Sequence, residues 1–308
     1  MALLDRAIVR VLPAVPKPVV RRMSRRYIAG DQLPDACRVV QSLNAKGKFA
    51  TVDVLGEEIT TEEEALALVA EYESVLEAIQ KEALDSNISV KLTGFGLKLD
   101  RDFCRDNLVR LVRTAVGLGN FVRIDMEDSS TTSDTLAIYR ELRADGLDNV
   151  GIVLQSYMKR TLSDITELAD LKPNVRVCKG IYVEPPEIAY QDFETVRLNF
   201  VEAVGALLDN GSYVGIATHD EWVIAESLTL LEERELRPDQ YEFQMLLGVR
   251  AHLGDELVRE GHRLRIYVPY GRQWYEYCLR RLQENPKIAG YIAGDTLKRL
   301  RPGRNHKR

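Results

Sequence analysis

The chain has 308 residues, 45% hydrophobic and 29% charged, which is ordinary globular composition and enough for one large domain or two smaller ones. Its formal net charge of −5 gives no general reason to expect a nucleic-acid partner. No run of about 18 apolar residues is present, so no membrane-spanning helix is expected.

The first 45 residues read as an interrupted helical segment, with Pro13, Pro16, Pro18 and Pro34 as breakers. Basic residues inside "MALLDRAIVRVLPAVP" argue against a secretory leader, which points to a cytoplasmic protein. A rhythm then begins. "FATVDVLG" (49–56) is short, β-branched and ended by Gly, hence a strand. Thr60 and Thr61 are each followed three residues later by Glu, the signature of a capping box. The helix it opens carries apolar residues at 65, 68, 69, 72, 75, 76 and 79.

The alternation continues with strands at 87–93, 121–126, 150–155, 174–180, 212–218, 241–246 and 264–270. Helices are expected over about 101–117, 131–145, 160–171, 187–209, 220–234 and 248–260, and one more after the last strand. Eight βα units predict a parallel sheet closed into a (βα)₈ barrel over 46–290. A doubly wound open sheet is the competing fold, but no GxGxxG follows the first strand. Residues 291–308 form a basic tail.

The two ends share a charge bias. Residues 1–30 hold seven Lys/Arg against Asp5 alone, and residues 298–308 hold six and no acid. Such ends could rest on an anionic membrane face, or they are solvated tails. The four cysteines form no CxxC and the four histidines no HExxH, so no metal site is indicated.

In barrels of this kind the chemistry lies at the carboxyl ends of the strands. Those ends read Asp53 and Glu57, Lys91, Asp125, Gln155, Lys179, Thr218 and His219, Gln244, and Tyr267, while Arg123 and Arg176 lie inside strands. Each alone could be structural: a satisfied barrel charge or a helix cap. Together they would crowd fixed charge into one mouth, where a low dielectric strengthens every contact. Arg280 and Arg281 stand side by side on the last helix. They could grip one carboxylate with Lys91, or they could simply oppose the helix dipole.

The strings "SVKLTGFGL", "VRIDMEDS", "GIVLQSYMKRT", "VRVCKGIY", "VGIATHD", "YEFQMLLGVR" and "RIYVPYGRQWYEYCLRRLQENP", in that order, closely resemble the monofunctional bacterial form of flavin-dependent proline dehydrogenase. The likeness runs from about Phe49 to Pro286 and covers seven of the eight strands. It implies a distorted (βα)₈ barrel that binds FAD noncovalently and oxidises L-proline to Δ1-pyrroline-5-carboxylate, moving a hydride from C5 to flavin N5. A membrane quinone as electron acceptor and a separate pyrroline-5-carboxylate dehydrogenase as partner also follow from it.

By position, the resemblance assigns Lys91, Arg280 and Arg281 to the proline carboxylate, and Tyr182, Tyr267 and Leu246 to the walls around the ring. Asp125 becomes an active-site carboxylate and Arg176 the donor to flavin N5. Met126, Val153, Gln155, Lys179, Gly180, Thr218 and His219 fall on the flavin, and Glu57 is a gate paired with the first arginine of the doublet. A different class on the same fold, a Schiff-base lyase using Lys91 as nucleophile, is the alternative.

Overall fold

A computed structural model describes residues 26–56 and 59–275. Eight strands alternate with helices: β1 (Phe49–Val54), α2 (Glu62–Lys81), β2 (Ser86–Val90), α3 (Arg101–Gly117), β3 (Val122–Ile124), α4 (Ser129–Ala144), β4 (Val150–Gln155), α5 (Thr161–Leu168), β5 (Asn174–Cys178), α6 (Phe193–Asp209), β6 (Tyr213–Ala217), α7 (Glu221–Glu233), β7 (Tyr241–Leu246), α8 (Ala251–Arg259) and β8 (Leu264–Tyr270). A leading helix, α1 (Leu33–Asn44), precedes them. Every strand pairs in parallel with its sequence neighbour, and β1 pairs with β8 to close the barrel. The expected (βα)₈ architecture is the one observed.

The strands alternate in a way that explains both layers. Val52, Ile88, Ile124, Ile152, Val177 and Ile216 are buried in the shared apolar core. Alternate positions of the strands carry Asp53, Ser89, Arg176 and Gln244, and Asp125 directly follows β3; all are buried. A period of two sends one set to the helices and the other to the axis. The interior is therefore polar, and glycines make room for its long side chains. Gly151 lies opposite Arg123 and Gly215 opposite Arg176 in the ladder. A Cβ on Gly215 would fall 2.5 Å from Gln244 Nε2.

Caps fix the helix starts. Thr61 accepts from Glu64 N at 3.3 Å while Glu64 reaches back, which completes the expected capping box. Helix α6 starts at Phe193, not near 187. Pro185 and Pro186 occupy that stretch, Met158 bridges Ala189, and Asp192 caps the helix by accepting from Thr195 N at 2.8 Å. Strands β2 and β3 end earlier than expected, because Lys91 leads into a 3₁₀ turn at Leu92–Phe95 and Asp125 bends out of the ladder after bonding Val90 O at 2.8 Å. Helix α8 begins at Ala251 rather than 248, because Gly248 has φ +74° and its Cα closes on the backbone carbonyl of Arg26. Among the described residues no helix is long and apolar enough to cross a membrane. The expected helix after β8, residues 1–25 of the amino-terminal basic end, the basic carboxyl-terminal tail, Glu57, Arg280 and Arg281 lie outside the described residues.

Candidate active site

Asp125 is the hub of the carboxyl-terminal mouth. One oxygen, Oδ1, accepts from Arg176 Nη1 at 2.6 Å and from Ser89 Oγ at 2.7 Å. The other, Oδ2, accepts from the Tyr267 hydroxyl at 2.7 Å and lies 3.8 Å from Lys91 Nζ. Burial pushes this carboxyl's pKa up, but Arg176, Lys91 and the two hydroxyls outweigh it and hold the group below the ordinary value. It is a carboxylate with both oxygens engaged. Burial, and then Asp125 beside it, pushes the Tyr267 phenol well above its ordinary value. Tyr267 therefore stays a neutral donor to Asp125, and its oxygen lies 3.4 Å from Lys91 Nζ.

Lys91 is anchored from below. Its ammonium donates to Asp53 Oδ1 at 2.9 Å, and Asp53 is fully buried. Tyr72, reaching in from α2, positions this pair. Its hydroxyl accepts from Val54 N at 3.1 Å, donates to Ser89 O at 2.7 Å and stands 3.3 Å from Asp53 Oδ1. A phenol thus replaces a ladder bond where β1 and β2 part, and Asp53 and Lys91 face the gap.

Arg176 starts a chain down the barrel axis. Its Nε donates to Gln244 Oε1 at 2.6 Å, and Gln244 Nε2 donates to Glu242 Oε1 at 2.6 Å. Glu242 also takes Arg265 Nε at 2.7 Å. A carboxylate only accepts, so Glu242 fixes which end of the Gln244 amide faces Arg176. The guanidinium lies over the Tyr267 ring, 5.1 Å from its centre. Its Nη2 is buried and has no hydrogen-bond partner among the described residues.

The remaining strand ends form one side of the mouth. Gln155 Nε2 donates to Glu127 O at 2.8 Å, and Met126 and Val153 are buried beside it in sequence and register. Leu246 N donates to His219 Nε2 at 2.9 Å, which makes that ring nitrogen an acceptor. Thr218 accepts from Asp220 N at 3.1 Å. Gly180 has φ +101°, and a Cβ there would run into the Tyr157 ring. Tyr182 is half-buried in the loop after β5.

Beyond Gly180 lies a ledge of rings and cations. Asp220 pairs with Lys179 and, at 2.7 Å, with Arg197 Nε. Phe193, 55% exposed, lies 4.5 Å from Lys179 Nζ and 4.3 Å from Arg197 Cζ. Trp222 stacks at 5.5 Å from the same guanidinium.

Every named site residue within the described region is thus on this mouth or the loops around it. Ser89, Tyr72, Phe193, Arg197 and Asp220 received no role from the sequence. Ser89 had a signal: it precedes Lys91 by two and must face the same way. Asp220 closes the "THD" string. Tyr72 had none, since it occupies an ordinary core position of an amphipathic helix.

The orphaned Arg176 Nη2, the close glycine and the aromatic–cationic ledge fit a flavin with a long phosphate-bearing tail. Residues 36–293 match the family model described as proline dehydrogenase. The chain is 38% identical over 276 residues to proline dehydrogenase 1 of Bacillus subtilis, covering 90% of this chain and 91% of that one. It is 35% identical over 300 residues to the proline dehydrogenase of Deinococcus radiodurans, covering 94% and 97%. In fold it resembles proline utilization A of Bdellovibrio bacteriovorus, with a TM-score of 0.83, 23% identity and 94% of this chain covered. It spans 37% of that longer chain. The chain belongs to the proline dehydrogenase family.

Proposed function

We propose that this protein is an FAD-dependent proline dehydrogenase, which oxidises L-proline to Δ1-pyrroline-5-carboxylate as the first step of proline catabolism. The observation that carries the reading is Arg176: a buried guanidinium, fixed by Asp125 and Gln244, whose remaining Nη2 has no partner among the described residues. A buried donor left unmade costs about 1–3 kcal/mol, and a flavin ring nitrogen satisfies it. Held by these residues, FAD would supply the chemistry of hydride acceptance from proline C5 and electron relay to a membrane quinone.

The protein's own part is binding, orientation and charge. Met126, Val153, Gln155, Gly180, Thr218 and His219 line the ring and its ribityl arm. Lys179 and Arg197 take the diphosphate, and Phe193 with Trp222 offers the adenine a stacking surface. Lys91 meets the proline carboxylate. It does not act alone: Asp53 and Asp125 already balance Lys91 and Arg176. An anionic substrate therefore needs further positive charge, and Arg280 and Arg281 supply it. Tyr182, Tyr267 and Leu246 wall the ring, and Tyr267 crowds C4, which favours proline over trans-4-hydroxyproline. By the family resemblance, Glu57 would serve as the gate over the substrate, paired with Arg280.

A lyase using Lys91 as nucleophile is disfavoured. Two carboxylates and a phenol oxygen surround its nitrogen, which stabilises an ammonium donor rather than a free amine. The protein works in the cytoplasm with its basic ends toward the inner membrane face, and a separate pyrroline-5-carboxylate dehydrogenase takes the product. Purified protein will be yellow, its cofactor will have the mass of FAD, and anaerobic L-proline will bleach the flavin band. A colourless preparation that cannot be reconstituted with FAD would sink this reading.

A further inference from the structure

The opposite mouth of the barrel holds a cavity of about 430 Å³, where the amino ends of the strands converge. None of the residues assigned to proline or flavin lines it. Five charged side chains do: Arg123, Arg263, Arg265, Asp85 and Glu242. One positive charge is in excess.

Among the described residues, that excess is not neutralised. Glu242 is already engaged by Arg265 Nε, Gln244 Nε2 and, at 3.3 Å, the Tyr213 hydroxyl. Arg123 is 2% exposed, yet its guanidinium bonds only neutral acceptors: Ile152 O at 3.0 Å, Asn174 O at 2.6 Å and Asn174 Oδ1. Its Nε has no partner among the described residues. Arg263 donates only to Asp239 O, at 3.4 Å. Neither arginine forms an ion pair with a carboxylate among the described residues. Arg123 feels the charge of Glu242 but shares it with Arg265, and a buried cation with so little counter-charge is costly to keep.

The cavity also has a flat apolar side. The Phe49 ring carries Arg263 at 4.8 Å from its centre and Arg265 at 5.4 Å, and Phe121 and Leu84 stand nearby in the lining. Arginine presents a planar fork that matches a carboxylate. We propose that this cavity is a second ligand site, for a small organic carboxylate with a planar apolar body. The carboxylate faces Arg263, Arg123 supplies the uncompensated charge beneath it, and the body lies against Phe49. The amino end of such barrels ordinarily serves stability alone, and stability does not require an uncompensated guanidinium beside an open cavity.

The test is calorimetric titration of the holoenzyme with benzoate, and with neutral benzamide as control, under anaerobic conditions and saturating L-proline. Benzoate will bind at a site that proline does not displace, and benzamide will not. Binding will weaken between about 0.05 and 0.5 M salt. Arg263→Gln, at a half-exposed position, will weaken benzoate about tenfold or more and leave the proline KM unchanged. Asp85→Asn, at an exposed position, will tighten it several-fold by removing a like charge. Complete displacement by proline, or unchanged benzoate affinity in both variants, would overturn the proposal. The Arg263 and Asp85 arms hold whichever small molecule the upper mouth accepts, so their failure is distinguishable from failure of the proline reading.

Discussion

Gln244 links the reacting end of the barrel to its interior, and Gln244→Leu tests that link. The side chain is 5% exposed and makes two short bonds, both to charged partners: Arg176 Nε and Glu242 Oε1, each at 2.6 Å. A hydrogen bond to a charged group contributes about 1.5–3 kcal/mol, so the upper bound for both is about 3–6 kcal/mol. Neither charge loses its counter-charge, since Arg176 keeps Asp125 through Nη1 and Glu242 keeps Arg265, although Arg176 Nε loses its acceptor. The expected loss is therefore near the lower end, about 3 kcal/mol. For a chain of this size that lowers the melting temperature by roughly 5 °C. Arg176 also loses the contact that sets its plane, so flavin affinity should fall about 10- to 100-fold. The assays are thermal melting of the apoprotein and FAD titration by fluorescence quenching, followed by anaerobic reduction with proline. An apoprotein that melts as the wild type does and binds FAD with unchanged affinity would refute the axial-chain argument.

Four further outcomes follow from the same geometry. Arg281→Met should raise the proline KM sharply while FAD stays bound, because the cations already described at the mouth are balanced by Asp53 and Asp125; steady-state kinetics with a flavin absorbance check reads this. Tyr72→Phe removes a hydroxyl that serves Val54 N and Ser89 O; leaving both unpaired should cost about 2–4 kcal/mol in a urea melt. Gly180→Ala forces a Cβ into the Tyr157 ring at φ +101°, so loss of FAD retention on gel filtration is expected. At low pH, Asp220 decides part of the acid limit. Burial raises its pKa, but hydrogen bonds from Arg197 and Lys179 outweigh this and bring it down to about 2. A carboxyl depressed in the folded state stabilises fully above the unfolded value, and the stabilisation disappears as pH falls through the folded value. The wild type should therefore lose stability between about pH 4 and 2, and Asp220→Asn should flatten that part of an acid-unfolding curve.

The barrel was legible because each strand and helix announces itself locally. The capping box at Thr61 and Glu64 and the apolar spacing along α2 need no tertiary information. The misplaced boundaries share one cause. The start of α6 and of α8 depends on contacts distant in sequence, Met158 with Ala189 and Gly248 with Arg26, and local propensity does not see them. The site residues were legible as strand ends, and their roles came from resemblance to a known family. Tyr72 was hidden, because a phenol in an apolar stripe looks like any other core ring until its hydroxyl is seen in the strand ladder.

What the sequence determined by itself is the order of elements and the set of polar side chains pointing inward, because both follow from periods of two and 3.6 residues along a single chain. What only the tertiary structure decided is which charge meets which. Asp125 could have paired with any barrel cation; closure of β1 against β8 brings Tyr267 and Lys91 to it, and Gly215 opens the space through which Gln244 reaches Arg176. Pairing energies depend on distance and burial, and neither exists until the barrel closes.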